Sequence, residues 1–219
     1  MFFTVAGGAL VGASALAAPV DGAGGRAGFE PDPTTKLRRT DARLRSLLRR
    51  QVPEWSPEAP AQRLEALRLL ESLLDTREMA RQALDGRWDR LPPEQRADFV
   101  QTLADLAHEA FLDRLVTGRG NDVRYEAASV DGSQARVPAE LTSRKEGGAA
   151  PMRARLEYRF ARKNGEWMIY DVVVDGVSLV ATYRAEFDRF LRTEPFGALI
   201  ARMKRKLESE PRRLETAAY

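Results

Sequence analysis

The side chains that most often carry out chemistry in proteins are scarce in this sequence. It contains no cysteine and a single histidine, His108. Disulfides, thiolate metal sites, cysteine nucleophiles and multi-histidine metal sites are therefore excluded. His108 stands among apolar residues, in a context typical of a packed structural histidine. Asp171 and Asp175, at the end of an apolar segment, are the remaining candidates for acid or base chemistry.

Composition indicates a globular protein and argues against a dedicated nucleic-acid-binding function. The chain has 219 residues, of which 43% are hydrophobic and 31% charged, so it can bury one sizeable core. Its 35 lysines and arginines exceed its 32 acidic residues by only three charges. Because no long block of one sign concentrates this excess, nucleic acid is not an expected partner.

The first residues have the pattern of an export signal. No charged residue occurs between Phe2 and Val20, and Ala15-Leu16-Ala17 offers a small-x-small cleavage site. We predict a cleaved signal peptide over residues 1–17, with an uncleaved anchor as the alternative. Residues 18–33, rich in Gly and Pro, are then a flexible linker.

Apolar residues recur at helical spacing over residues 34–118. Thr34 or Thr35 is predicted to cap the first helix, and Asp75 opens a capping box for the third. The four predicted helices cover residues 34–51, 61–74, 75–86 and 93–116. The first carries Arg38, Arg39, Arg45, Arg49 and Arg50. We interpret these arginines as a solvated basic flank, and the alternative is a role at a membrane surface.

Beyond Asn121 the period changes to two, which predicts an antiparallel sheet of about four strands. Turns are expected at Asp131-Gly132 and Asp175-Gly176. Ser178 can cap a helix that follows the sheet, and residues 196–207 form a last amphipathic helix. The order of elements predicts the α+β class.

The register of the last two long strands depends on the loop between them. A two-residue Asn164-Gly165 turn would place Tyr158 opposite Asp171, with carboxylates on the buried face. A three-residue loop with Gly165 in a bulge places Tyr158 opposite Tyr170 instead, and it turns Asp171 and Asp175 outward. We favour this second register, in which the inner residues are Met168, Tyr170, Val172 and Val174.

The most specific segment of the chain is residues 165–187, GEWMIYDVVVDGVSLVATYRAEF. It resembles the MlaC family of periplasmic phospholipid-binding proteins, also called toluene-tolerance auxiliary components. Weaker matches at residues 75–88, 93–99 and 196–200 stand in the order that the family uses. A departure is Asp175, where the family has Glu.

The resemblance implies a soluble periplasmic phospholipid carrier over residues 34–207, followed by a polar tail at 208–219. Its helical part would be 34–118, and its sheet with closing helices 121–207. It implies an NTF2-like curved sheet against a helical lobe, with acyl chains in a central apolar cavity. The implied partners are an inner-membrane ABC transporter complex with an MCE-type subunit and an outer-membrane lipoprotein complex. No cofactor is implied apart from phospholipid as cargo, and no catalysis.

Apolar residues of the predicted sheet and of the helices around it are candidates to line this cavity. They are Trp88, Phe99, Leu156, Tyr158, Tyr170, Val172, Val174, Val177, Tyr183, Phe187 and Phe190. Considered without the resemblance, the same residues are more typical of a packed core.

Two other functions stay open. One is an NTF2-like enzyme that uses Asp171 or Asp175 as a cavity base. The other is an envelope adaptor whose arginine-rich first helix binds a protein or anionic headgroups. Lipid content separates the three, because only a carrier purifies with stoichiometric phospholipid.

Overall fold

The computed structural model describes residues 32–50, 52, 55–117, 121–143 and 152–209. The helices in these residues are α1 Pro33–Arg49, α2 Ala59–Glu71, α3 Thr76–Leu84, α4 Pro93–Thr117, α5 Leu179–Phe190 and α6 Phe196–Ser209, and a 3₁₀ turn, Asp85–Arg90, links α3 to α4. The strands are β1 Asp122–Tyr125, β2 Ser129–Asp131, β3 Gln134–Ser143, β4 Met152–Lys163, β5 Glu166–Val174 and β6 Val177–Ser178. The predicted signal peptide and most of the predicted linker and tail lie outside the described residues.

The strands form one antiparallel sheet in the order β1-β3-β4-β5-β6, and β2 pairs with β3 as a short hairpin. This arrangement of helices and antiparallel strands confirms the α+β prediction. Within the described residues the sheet has six strands, where about four were expected. The excess comes from β2 and β6, which have three and two residues and are too short to show a period of two.

Helix α1 begins one residue earlier than predicted. The carboxylate of Asp32 accepts hydrogen bonds from the backbone N–H groups of Thr34 and Thr35 at 3.0 and 3.3 Å, and Pro33 occupies the first turn. The predicted cap at Thr34 or Thr35 is therefore wrong, because an aspartate just upstream satisfies the free N–H groups of the first turn. The Thr34 hydroxyl instead donates to the carbonyl of Glu126 at 3.1 Å, and this contact attaches α1 to the sheet.

The junction between α2 and α3 pairs with the sheet. The N–H of Asp75 donates to the carbonyl of Ile169, and the N–H of Ile169 donates to the carbonyl of Leu73, both at 2.8 Å. This short parallel bridge runs beside the part of β5 that the two-residue β6 does not reach. It satisfies backbone groups at an otherwise open strand edge and joins the helices to the sheet.

Asp75 contributes to this junction twice. Its carboxylate accepts from the N–H of Glu78 at 3.1 Å as the cap of α3, and it lies 2.9 Å from the ammonium of Lys163 on β4. We expect Asp75→Ala to lower the free energy of unfolding by about 1–2 kcal/mol, mostly through the lost cap, since Lys163 is 42% exposed. Urea denaturation measures this loss. Asp75→Asn keeps a capping oxygen, and a cost as large as that of alanine would contradict the capping role.

The structure contradicts the favoured register of β4 and β5. Lys163 pairs with Glu166 across a two-residue turn in which Asn164 and Gly165 have φ of 51° and 90°. Tyr170 is then an extra residue, which shifts the pairing so that Arg159 faces Asp171. Beyond this bulge, Tyr158 faces Val172 and Leu156 faces Val174.

The bulge removes the objection to the two-residue turn. It moves Asp171 to the sheet face opposite Tyr158, so the carboxylate does not face the apolar side chains that pack against Tyr158. Asp171 is nevertheless buried beneath α5, at 2% exposure, and the prediction that it points outward is wrong. Asp175 is exposed in the tight turn before β6, as predicted. The buried residues of β5 are Trp167, Ile169, Asp171 and Val173, whereas the predicted inner residues Met168, Tyr170, Val172 and Val174 are half-buried.

Among the described residues, buried side chains form two core clusters. Cluster 1 lies between one face of the sheet and helices α1, α2 and the second half of α4, with Leu44, Leu70, Val137 and Phe160 among its members. Cluster 2 lies among α3, the first half of α4, α5 and α6. Helix α4 contributes Phe99 to cluster 2 and Leu112 to cluster 1, so this long helix joins them.

His108 is buried on α4, and its Nε2 atom has no hydrogen-bond partner among the described residues. Burial lowers the pKa of the imidazole, partly offset by the nearby carboxylates of Glu71, Asp105 and Glu109, while Arg63 adds to the lowering. The folded protein therefore favours the neutral ring, in agreement with a structural histidine.

This burial predicts a loss of stability in mild acid. The unfolded chain takes up a proton near the ordinary histidine pKa of 6.5, before the folded chain does. Stability should therefore fall as pH drops below this value, by at most about 1.4 kcal/mol per pH unit, and this contribution levels off below the folded-state pKa. His108→Leu should show a smaller loss between about pH 7 and pH 5 in urea denaturation. Parallel curves for the two proteins would contradict the assignment.

Candidate functional site

The predicted lipid-binding residues divide between the two clusters. Six of them belong to cluster 2 or pack against it: Trp88, Phe99, Tyr170, Tyr183, Phe187 and Phe190. Leu156, Tyr158 and Val172 belong to cluster 1 or pack against it. Val174 and Val177 belong to neither, but their pairing places them on the same sheet face as Leu156. The structure therefore does not bring all the predicted residues around one site.

The aromatic residues of cluster 2 pack closely on one another. The rings of Phe99 and Phe187 meet edge to face at 5.6 Å, and Tyr183 stacks on Phe187 at 6.0 Å. Trp88 lies 5.7 Å from the guanidinium groups of both Arg77 and Arg96. Phe99, Phe187 and Trp88 are at most 4% exposed. These contacts are those of a packed core that joins four helices.

The sheet face at cluster 1 offers a more open apolar surface. Leu156 pairs with Val174, and Val174 pairs with Val177 on the edge strand. One row further from the core, Val123 pairs with Leu141 and Leu141 with Ala154. We call these six residues the apolar strip: Val123, Leu141, Ala154, Leu156, Val174 and Val177. Strand pairing alternates the faces, so all six side chains share the face of Tyr158.

The apolar strip leads from the core to the surface. Tyr158 and Val137 at its inner side are almost fully buried, the strip residues on β1, β3, β4 and β5 are half-buried, and Val177 is 59% exposed. Five strands at about 4.8 Å spacing make the strip about 19 Å long. A largely half-buried apolar strip of this length fits an extended hydrocarbon chain better than a compact polar substrate.

Three strip residues were missing from the predicted set: Val123, Leu141 and Ala154. Their signal was present, since each stands at an apolar position of a period-two segment. Their membership in one row depends on strand pairing across β1, β3 and β4, which the sequence analysis did not assign.

The two candidate carboxylates are placed where neither has the environment of a cavity base. Asp171 accepts hydrogen bonds from the Ser178 hydroxyl at 2.7 Å, the Val180 N–H at 3.1 Å and Arg159 at 3.3 Å. Asp175 accepts from the N–H of Arg155 at 2.9 Å on the exposed turn. Asp171 therefore connects the start of α5 to the sheet, and Asp175 stabilises the turn before β6.

The described part of the chain contains no helix that is long and apolar enough to cross a membrane. Among the same residues there is no group of three or more side chains that could hold a metal ion.

The fold is shared with a solved phospholipid-binding protein. The structure of that protein, from Ralstonia solanacearum in complex with a phospholipid, matches with a TM-score of 0.62 and 17% sequence identity. The match covers 81% of this chain and 98% of the other. At this identity the likeness establishes the fold.

Sequence comparison identifies the family. The model of the MlaC protein family matches residues 41–205, and the chain belongs to this family. The intermembrane phospholipid transport system binding protein MlaC of Haemophilus influenzae is 24% identical over 111 residues. This alignment covers 51% of the present chain and 52% of the relative, so the chain spans about half the length of the curated relative it matches. The predicted resemblance to the MlaC family is confirmed.

Proposed function

We propose that this protein is a phospholipid carrier that holds acyl chains against the apolar strip, between the sheet and the helices of cluster 1. The observation that carries the proposal is the apolar strip, which crosses five strands, is half-buried on β1, β3, β4 and β5, and reaches the surface at Val177. Membership in the MlaC family and the shared fold of a phospholipid-binding protein support it.

Such a site binds its ligand by burying apolar surface and does not change the ligand chemically. Each methylene group that leaves water for an apolar surface contributes about 0.8 kcal/mol, so two long acyl chains can be held without any charged contact. Acyl chains would enter by separating α1, α2 and α4 from the strip, and the inner residues Leu156, Tyr158 and Val172 would then line an apolar cavity. The aromatic residues of cluster 2 would anchor the helices that stay in place.

Within this proposal the carrier works in the periplasm. It receives phospholipid from, or delivers it to, an inner-membrane ABC transporter complex with an MCE-type subunit, and it exchanges lipid with an outer-membrane lipoprotein complex. The support is the family, together with the charge-free stretch from Phe2 to Val20.

Transfer of a fluorescent phospholipid between donor and acceptor vesicles tests the carrier activity. We expect the initial rate to rise in proportion to protein concentration, with no chemical change in the lipid. An adaptor would transfer none, and an enzyme would yield a modified lipid or another product. Either result would overturn the proposal.

Export makes a separate prediction. When the full sequence is expressed in a Gram-negative host, the protein should fractionate with the periplasm and begin near Ala18, after the Ala15-Leu16-Ala17 site. Intact-mass measurement locates the first residue. Retention of Met1 in a membrane fraction would favour the uncleaved anchor.

A further inference from the structure

The arginines of α1 lie on two sides of the helix. Arg38 donates to the carbonyl of Tyr125, and Arg45 donates to the carbonyl of Asn121 at 3.2 Å, so this pair attaches α1 to β1. Arg39 and Arg43 are one turn apart on another side of the helix, and Arg50 follows as its C-cap. Arg38 and Arg45 are therefore structural, whereas Arg39 and Arg43 form no side-chain hydrogen bond or ion pair with the sheet among the described residues.

Arg39 and Arg43 lie beside α2. Arg39 and Arg43 line a surface groove of about 430 Å³ together with Leu69 and Ser72 of α2. Arg43 lies 4.0 Å from Glu65, whereas Arg39 and Arg50 have no side-chain hydrogen bond or ion pair among the described residues. The α1 side of this groove is thus cationic, and its charge is only partly compensated.

The helical hairpin formed by α1 and α2 also exposes apolar groups. Leu64, 48% exposed, and Arg68 are one turn apart on the side of α2 opposite the buried Ala66 and Leu70. Trp55, in the connection between α1 and α2, is 86% exposed, whereas Trp88 and Trp167 are each 4% exposed. We call this surface the hairpin face: Arg39, Arg43, Arg50, Trp55, Leu64 and Arg68.

We propose that the hairpin face is a docking surface for an anionic lipid bilayer. Its arginines match the negative charge of phospholipid headgroups, and each arginine near such a surface strengthens binding about fivefold. The Trp55 ring buries almost no surface in the isolated protein, and a bilayer interface accepts an indole ring without a preformed pocket. The proposal goes beyond cargo binding, because it concerns a different surface from the apolar strip.

Co-sedimentation with vesicles tests the charge requirement. We expect binding to phosphatidylcholine vesicles that contain phosphatidylglycerol, little binding to phosphatidylcholine alone, and release by salt. The triple variant Arg39→Gln, Arg50→Gln, Arg68→Gln should bind the anionic vesicles about a hundredfold more weakly. The matched control, Arg124→Gln, Arg136→Gln, Arg155→Gln, removes the same charge from exposed positions of the sheet and should bind like the wild type.

Trp55 gives an independent readout of the contact. Its emission should shift to shorter wavelength on anionic vesicles, and Trp55→Phe should abolish the shift because the two other tryptophans are buried.

Equal weakening by the two triple variants, equal binding to neutral vesicles, or no shift would overturn the proposal. Capture of an acidic protein without vesicle binding would assign the face to a protein partner instead. The hairpin variant should still purify with phospholipid, so failure of docking and failure of the carrier function are distinguishable.

Discussion

Replacing Asp171 with asparagine is expected to lower the free energy of unfolding by about 2–3 kcal/mol. The buried carboxylate uses one oxygen for the Val180 N–H and the other for Ser178 and Arg159. An asparagine side chain keeps one acceptor oxygen. Its NH₂ group, however, then faces either the Val180 N–H or the Ser178 and Arg159 donors, which lose their acceptor. Because Arg159 also contacts Glu157 and is 33% exposed, part of its charge stays compensated.

Asp175→Asn is the matched control for this prediction. Asp175 is exposed at a φ of 49°, a backbone conformation that asparagine adopts readily, and an amide oxygen can still accept from Arg155. We expect a change below about 0.5 kcal/mol. Denaturation curves followed by circular dichroism measure both variants, and equal effects would contradict the role of Asp171 as the connection between α5 and β5.

Val172→Glu is expected to remove bound phospholipid while the protein stays folded. Val172 is half-buried beside Tyr158 on the face of the apolar strip, so a carboxylate there can reach water when no lipid is present. With acyl chains in place the charge would have no water and no partner, which costs several kcal/mol. Val174→Glu, on the strip itself, should behave in the same way.

Two further valines act as controls for this substitution. Val173, 7% exposed, faces away from the strip, and Val173→Glu should unfold the protein because the charge is buried without a partner. Val130 is 56% exposed on β2, and Val130→Glu should change neither folding nor lipid content. Lipid extraction and thermal melting decide between these outcomes. Collapse of both strip-face variants, or full lipid content in both, would show that this face does not hold lipid.

Local sequence signals predicted the helices and the long strands. Contacts between elements determined what these signals did not predict, the register of β5. The cap of α3 at Asp75 and that of α5 at Ser178 follow from side chains within three residues of the N–H groups they satisfy. The bulge at Tyr170 does not, because Asp171 is stabilised by Ser178 and Arg159, which belong to other elements. The apolar run of β5 therefore predicted a strand but not its register.

For the candidate site, the sequence predicts which side chains are buried but not which elements they pack against. Aromatic and aliphatic spacing indicates which side chains avoid water, and the predicted set contains many core residues. It does not indicate which helices cover them, so the predicted cavity combines Phe187 of cluster 2 with Leu156, which packs against cluster 1. The division of the core into two clusters depends on the position of α4, which contributes side chains to both.

Native mass spectrometry of the purified protein tests the central claim most directly. The spectrum recorded before denaturing extraction should show the chain with phospholipid bound in a fixed stoichiometry, and the extracted fraction should contain intact phospholipid. Val172→Glu should appear at the mass of the chain alone. A wild-type protein that is folded and free of lipid, and that takes up none when mixed with phospholipid vesicles, would contradict the account.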